Sequence, residues 1–384
     1  MKFRDILVET ARRLNEAAVG RDLQHIEDNM IVNGAQGAID SLQDLRSLVT
    51  NASSASVKWD GQMAIYWGHD GKGNFYLVPN AQWSKKLVTG KEGLAQEIQN
   101  TGRKRADQSD EEFATNRRNL AAKYMKLWDV FANASKGTSG FFKGDIMFAD
   151  PQQPDNNGNY VFTPNKVTYT VSPNGLFGKM KTAQVFITVH GKANELGSSG
   201  LSPANANEIA KLNSTPQLIA IGTQRLNSGI KLDTKSIDAL MARIKQQANA
   251  IDAISNFTAP KFTTIKQLMY NYSIKLGKSG GTLDFNTWLD STKTSENQKA
   301  IIRDLQKKPE WKTFWAAFID MSRIKQSVFD QLTKQQGNEM AKTLGISASV
   351  GGKAGGEGYV TTTGKIINPN FRSSPDNPRF TGEI

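Results

Sequence analysis

Ser56-Val57-Lys58-Trp59-Asp60-Gly61 is the stretch around which the rest of this chain can be read. It spells Lys-x-Asp-Gly, follows small polar residues and precedes the alternating run Met63-Ala64-Ile65-Tyr66-Trp67. Alternation rich in β-branched and aromatic residues predicts a strand on each side of a tight bend. Gly61 supplies the permissive backbone for that bend. The bend would present Lys58 at the mouth of a sheet, where a lysine amine held neutral is a nucleophile. Four residues also recur by chance, and an exposed Lys beside an Asp-Gly turn has the same spelling. The motif therefore needs support from elsewhere in the chain.

Composition narrows the classes. The 384 residues are 38% hydrophobic, enough for one large or two ordinary domains. There is no cysteine, which excludes disulfides and thiolate metal sites. The three histidines, His25, His69 and His190, are scattered, which argues against a histidine-rich metal site. The N-terminus is charged and amphipathic, unlike a signal peptide, and no apolar run is long enough to span a bilayer. A soluble cytoplasmic protein with no membrane partner is expected. The net charge of +12 favours polyanion partners, nucleic acid above all, although a soluble basic protein has the same balance. Between Leu201 and Gly345, 20 Lys and Arg stand against 12 Asp and Glu, so two thirds of the excess lies there.

Helical spacing marks Phe3–Leu14, then 21–29, then Gly37–Val49 with Ile39, Leu42, Leu45 and Leu48 inward. His25, Glu27 and Asp28 read as a solvated helix face. An Asp-Gly turn at Asp70-Gly71 joins two alternating runs into a hairpin. Ser84-Lys85-Lys86 follows on a loop or strand end. Residues 91–135 read as helical. Gly140-Phe141-Phe142-Lys143-Gly144-Asp145-Ile146-Met147-Phe148 is an apolar strand holding an acid, which is costly unless the acid is paired or bound, or turned to solvent. Strands are expected at Lys166–Val171 and Ala183–Val189. Four helices are expected at Lys235–Phe257, Ile265–Leu276, Glu296–Gln306 and Glu310–Leu332. The aromatics of the last, Trp311, Phe314, Trp315, Phe318 and Phe329, read as core. Val350–Gly356 is a glycine-rich loop but no P-loop, because Ser347 and Ala354 stand where Gly and Ser or Thr are required.

Taken together, Lys58-x-Asp60-Gly61, Lys143-Gly144-Asp145, the Val185–Val189 strand, Glu357-Gly358-Tyr359-Val360 and Lys365-Ile366 resemble the covalent nucleotidyltransferases: ATP-dependent DNA ligases, RNA ligases and mRNA capping enzymes. Among these the chain is most similar to ligase-like proteins of tailed bacteriophages, which would place it in the host cytoplasm. The resemblance covers residues 20–190 and 355–371 and leaves out the basic helical segment. It implies an α+β fold: an antiparallel-rich, two-sheet, ATP-grasp-like nucleotidyltransferase (ligase) core with a basic helical insertion. It also implies no C-terminal oligonucleotide-binding (OB) barrel, for which the chain ending at Ile384 leaves no room. The corresponding domains are 1–199 (helices and main core), 200–345 (helical insertion) and 346–384 (return to the core).

The resemblance also implies roles. Lys58 would attack the α-phosphate of ATP, expel pyrophosphate and hold AMP as a phosphoramidate. Asp60, counted catalytic beside Lys58, and Gly61 would shape the nucleophile loop, with Val57 and Gly61 against the bound nucleotide. Asp145 stands where the family has Glu at a ribose contact, one methylene shorter. Glu357 would help hold Mg²⁺, which favours carboxylate oxygens with substrate phosphates. Phe186 would stack on adenine, and Lys85 and Lys365 would contact phosphate. The family's last motif carries two lysines one residue apart. Here only Lys365 is present, with Ile367 in the second place and Arg372 or Lys353 as substitutes. The function implied is an ATP-dependent RNA or DNA ligase-like enzyme, with nucleic acid bound by the basic segment. The competing expectation is a catalytically weak or inactive phage nucleic-acid-binding or virion-associated protein that keeps the ligase fold. A third is AMP transfer to a protein or small molecule.

Overall fold

The structure, a computed structural model, describes residues 25–83, 90–102, 104, 108–173, 178–198, 200–257, 265–278, 283–368 and 371. The expected helix at Phe3–Leu14, the Lys85 loop and Arg372 lie outside these residues. In chain order the elements begin with α1 (Asp28–Ser47), β1 (Ser56–Lys58), β2 (Ala64–His69), β3 (Phe75–Pro79), α2 (Lys91–Asn100), α3 (Asp110–Ala134) and β4 (Gly140–Phe148). Next are β5 (Tyr160–Phe162), β6 (Val167–Val171), β7 (Val185–Ala193), α4 (Ala206–Leu212), β8 (Leu218–Gly222), α5 (Thr234–Gln246), α6 (Ala248–Ser255), α7 (Ile265–Lys278) and α8 (Phe285–Ser291). The last are α9 (Glu296–Gln306), α10 (Pro309–Leu344), β9 (Ile346–Val350), β10 (Lys353–Ala354), β11 (Gly358–Val360) and β12 (Lys365–Ile367). The fold is α+β, as expected.

The described residues form two compact units. One is drawn from Met1–Val57, Arg225–Gln336 and Gly358–Ser374, the other from Lys58–Gln224, Gly337–Glu357 and Pro375–Ile384. These units do not follow the boundaries expected at 199/200 and 345/346. The first helix joins the helical segment because its apolar stripe (Met30, Ile31, Leu42, Leu45) shares one core with Ile237, Ile244, Ile251, Phe314 and Leu332. Residues 200–224 stay with the β-rich unit because they carry a strand. That strand, β8, was missed: Leu218-Ile219-Ala220-Ile221 is apolar on both faces and shows no alternation.

In the first unit, α1 runs from Asp28 to Ser47 and is broken at Gly34 with φ 62°. It takes in most of the helix expected at 37–49, while of the helix expected at 21–29 residues 21–24 lie outside the described residues and 25–27 precede α1. The Asp252 carboxylate accepts from the Ala35 N–H at 2.8 Å. A Cβ on residue 34 would stand 2.1 Å from that carboxylate, so glycine is required there. The helix expected at Lys235–Phe257 is two, α5 and α6, parted at Gln247. The α10 aromatics Trp311, Phe314, Phe318 and Phe329 are core, as expected. The solvated-face reading of Glu27 and Asp28 is corrected, since they are 2% and 1% exposed. Glu27 pairs with the ammonium of Lys325 from α10, and Asp28 accepts from the Ser273 hydroxyl at 3.4 Å. β1, β11 and β12 form a three-stranded sheet in the order β1-β11-β12.

The second unit is built on a five-stranded sheet, β3-β2-β4-β7-β8, antiparallel except for the β7/β8 pair. Helix α4 makes the connection that a parallel pair needs. One face (Ile65, Trp67, Phe142, Ile146, Ile187, Val189) packs under α2 and α3 through Leu94, Tyr124, Leu127 and Phe131. A capping box between Ser109 and Glu112 starts α3. The opposite face is apolar at both ends of β4. Phe141 clusters with Tyr66 and Trp83, and Phe148 meets Phe186 and Phe162. Lys143 and Asp145 lie between them along the strand. Antiparallel β10-β9-β6-β5 forms the second sheet.

Removing one partner of a buried ion pair strands the other charge, at about 3–5 kcal/mol. Lys325→Met is therefore expected to destabilise the protein by about that amount. The double variant Glu27→Gln/Lys325→Met should regain part of the loss in urea denaturation.

Candidate functional site

The segment after Lys58 is held from three sides. The Asp60 carboxylate is buried and accepts from Asn165 Nδ2 at 2.9 Å, Lys166 N at 2.6 Å and Val167 N at 2.8 Å. The Asp60 N–H donates to the Tyr169 hydroxyl at 2.8 Å. Burial pushes the Asp60 carboxyl above its ordinary value even against these hydrogen bonds and the nearby Lys58 charge. A carboxylate so occupied positions the loop, which is the part the resemblance implies for Asp60.

Gly61 is needed for a reason other than the one the sequence suggested. It is not among the glycines with positive φ. A Cβ there would stand 2.5 Å from Asp145 Cβ and 3.1 Å from the Ile146 carbonyl oxygen. The loop is thus laid directly on β4, where Gln62 N donates to Ile146 O at 2.8 Å and Ile146 N to Met63 O at 2.9 Å.

Two ion pairs result. Lys58 Nζ meets Glu357 Oε2, their side chains 21% and 10% exposed. His190 Nε2 lies 2.9 Å from Asp145 Oδ2, at 36% and 26%. Burial alone would raise the Asp145 carboxyl, but the His190 hydrogen bond and charge, with Lys58 and Lys143, hold it below its ordinary value. The Tyr169 hydroxyl is driven well up by burial, against its hydrogen bond from Asp60 N, and the charges of Asp60, Glu357 and Asp145 add to the rise. Lys143 Nζ sits over the Tyr66 ring at 5.3 Å. Lys58, Asp60, Asp145, His190 and Glu357 all belong to the second unit.

Phe186 is 1% exposed, ringed by Trp59, Phe148 and Phe162 at centroid distances of 6.5, 5.8 and 5.7 Å. It is a core ring with no open face for a base. Val57 and Lys365 belong to the first unit. Val57 packs against its core, and the Lys365 carbonyl accepts from Ile26 N at 3.3 Å. His190, Asn165 and Tyr169 were missed. His190 stands just past the end of the expected Val185–Val189 run, at a shift of register between β4 and β7. Asn165 sits in a turn with no periodic mark.

A model of a family of unknown function, DUF6267, matches residues 21–369. The chain belongs to that family. No curated protein and no solved structure matches it. The family match takes in Lys58, Asp60, Asp145, His190 and Glu357 together.

No helix among the described residues is long and apolar enough to cross a membrane. Nor do those residues hold a group of three or more His, Asp or Glu placed to bind a metal ion. Glu357, buried beside Lys58, offers a single carboxylate, which fits a divalent ion whose remaining ligands are substrate phosphates and water.

Asp60→Ala leaves three donors without their acceptor, two of them backbone N–H groups. The expected loss is about 2–4 kcal/mol in urea denaturation. Tyr169→Phe, which removes a single partner of Asp60 N, should lose about 1 kcal/mol.

Proposed function

We propose that the second unit is the core of an ATP-dependent, ligase-like nucleotidyltransferase in which Lys58 carries AMP. The observation that supports this is the meeting of three stretches far apart in sequence. Lys58 pairs with Glu357, and the Lys58 charge also acts on Asp145. A lysine flanked by two carboxylates on an apolar-walled sheet face suits a nucleophile that takes a metal-bound triphosphate.

In this reading Lys58 Nζ, once deprotonated, forms a bond to the α-phosphorus as the bond to the bridging oxygen breaks and pyrophosphate leaves. Asp60 holds the loop from below, and Gly61 brings it against β4. Asp145 takes the ribose. Glu357 would hold the divalent ion, which neutralises phosphate charge when bound. AMP then passes to an acceptor, a polynucleotide 5′-phosphate in the ligase reading. The cation excess of residues 201–345 supports a nucleic-acid partner of either kind, RNA or DNA.

The second reading, a nucleic-acid-binding or virion-associated protein with a relict site, is favoured by the enclosed Phe186 and the single lysine of the last motif.

Incubation with α-labelled ATP and Mg²⁺ followed by denaturing electrophoresis separates the two. The enzyme reading expects label on the wild type and none on Lys58→Ala. A folded wild type, free of AMP beforehand, that takes no label with any divalent metal supports the second reading.

A further inference from the structure

His190 belongs to none of the motifs from which the site was read. It is the extra residue of a bulge in β7: Val189 lies opposite Gly144 and Gly191 opposite Lys143, which leaves His190 without a partner position on β4. Bulges re-aim side chains. Here the imidazole comes onto β4, with Nε2 2.9 Å from Asp145 Oδ2. An ionised carboxylate only accepts, so Nε2 carries the hydrogen.

The second oxygen of Asp145 has no partner among the described residues. The cation nearest along the strand, Lys143, is engaged over the Tyr66 ring. The Asp145 side chain is 26% exposed, so a ligand can reach that oxygen. It is an acceptor and suits a donor such as a hydroxyl. The terminal torsion of an aspartate is broad and two-fold, so an unpinned carboxylate samples many directions. Pinning one oxygen fixes the other, and a fixed acceptor discriminates where a rotating one does not.

Resting on the reading that this unit binds ATP, we infer that His190 is a positioning residue: it fixes the Asp145 carboxylate to accept a ribose hydroxyl and thereby sets discrimination between ribonucleoside and deoxyribonucleoside triphosphates. The lysine chemistry does not pass through it.

The test is equilibrium binding of ATP, 2′-deoxyATP and 3′-deoxyATP, each with Mg²⁺, to wild type, His190→Ala and His190→Gln, with melting curves in parallel. Wild type should prefer ATP over at least one deoxy analogue by about tenfold or more, the worth of a hydrogen bond to a charged group. His190→Ala should bring that ratio within about twofold of unity. His190→Gln, whose amide nitrogen can stand in for Nε2, should restore most of it, a rescue that a purely structural role would not link to the sugar. Should His190→Ala not fold, His190→Phe fills the volume without a donor and is read in the same way. An unchanged ratio in the donor-less variant overturns the role of His190 and leaves the nucleotide reading standing. Equal binding of all three by wild type also overturns the role of His190. Wild type that binds none of the three overturns both.

Discussion

One buried carboxylate organises the site. An aspartate out of water must have its oxygens satisfied, and Asp60 finds three donors in the consecutive residues Asn165, Lys166 and Val167. With its own N–H on the Tyr169 hydroxyl, it ties the loop after Lys58 to the start of β6. The rest follows from that tie. The loop is held where Gly61 must lie against Asp145, so no larger residue fits. Lys58 is carried one step ahead of that anchor, within reach of Glu357, and Asp145 is left facing His190.

Lys143, Asp145 and His190 sit on a sheet face with aromatic rings at both ends. Tyr66, Trp83 and Phe141 close one end, with Tyr66 and Trp83 stacked at 3.9 Å. Trp59, Phe148, Phe162 and Phe186 close the other. Apolar walls lower the local dielectric and strengthen each charge pair between them. Lys58 is paired with Glu357, and Asp145 has His190 Nε2 at 2.9 Å. The first unit uses the same device for a structural purpose, burying Glu27 against Lys325.

The periodic parts of the fold were legible in the sequence. β4, β6, β7 and the helices α7 and α9 carry clear alternation or helical spacing, and the structure places them where expected. The α10 aromatics also lie in the core. What was not legible has physical causes. β8, although at the edge of its sheet, is buried on both faces, which removes the alternation that identifies strands. Glu27 and Asp28 read as surface because charged residues usually are, and their burial depends on Lys325 and Ser273 some 300 and 245 residues away in sequence. At the site, the spelling Lys-x-Asp-Gly located Lys58, Asp60 and Gly61 but gave the wrong reason for Gly61. Asp60 is an anchor, and Gly61 serves close approach rather than a positive φ. His190 escaped notice because a bulge is a property of two strands together, and only one of them is visible at a time in a sequence.

The central claim, that Lys58 in this charge-paired cluster is a nucleophile toward nucleotide, is tested most directly by mapping. The protein is incubated with ATP and Mg²⁺, digested under conditions that preserve phosphoramidates, and its peptides are sequenced by tandem mass spectrometry. The account predicts an AMP adduct on Lys58 and on no other lysine. An adduct on a different residue, or an unmodified Lys58 peptide from folded protein at every divalent metal tried, would contradict it.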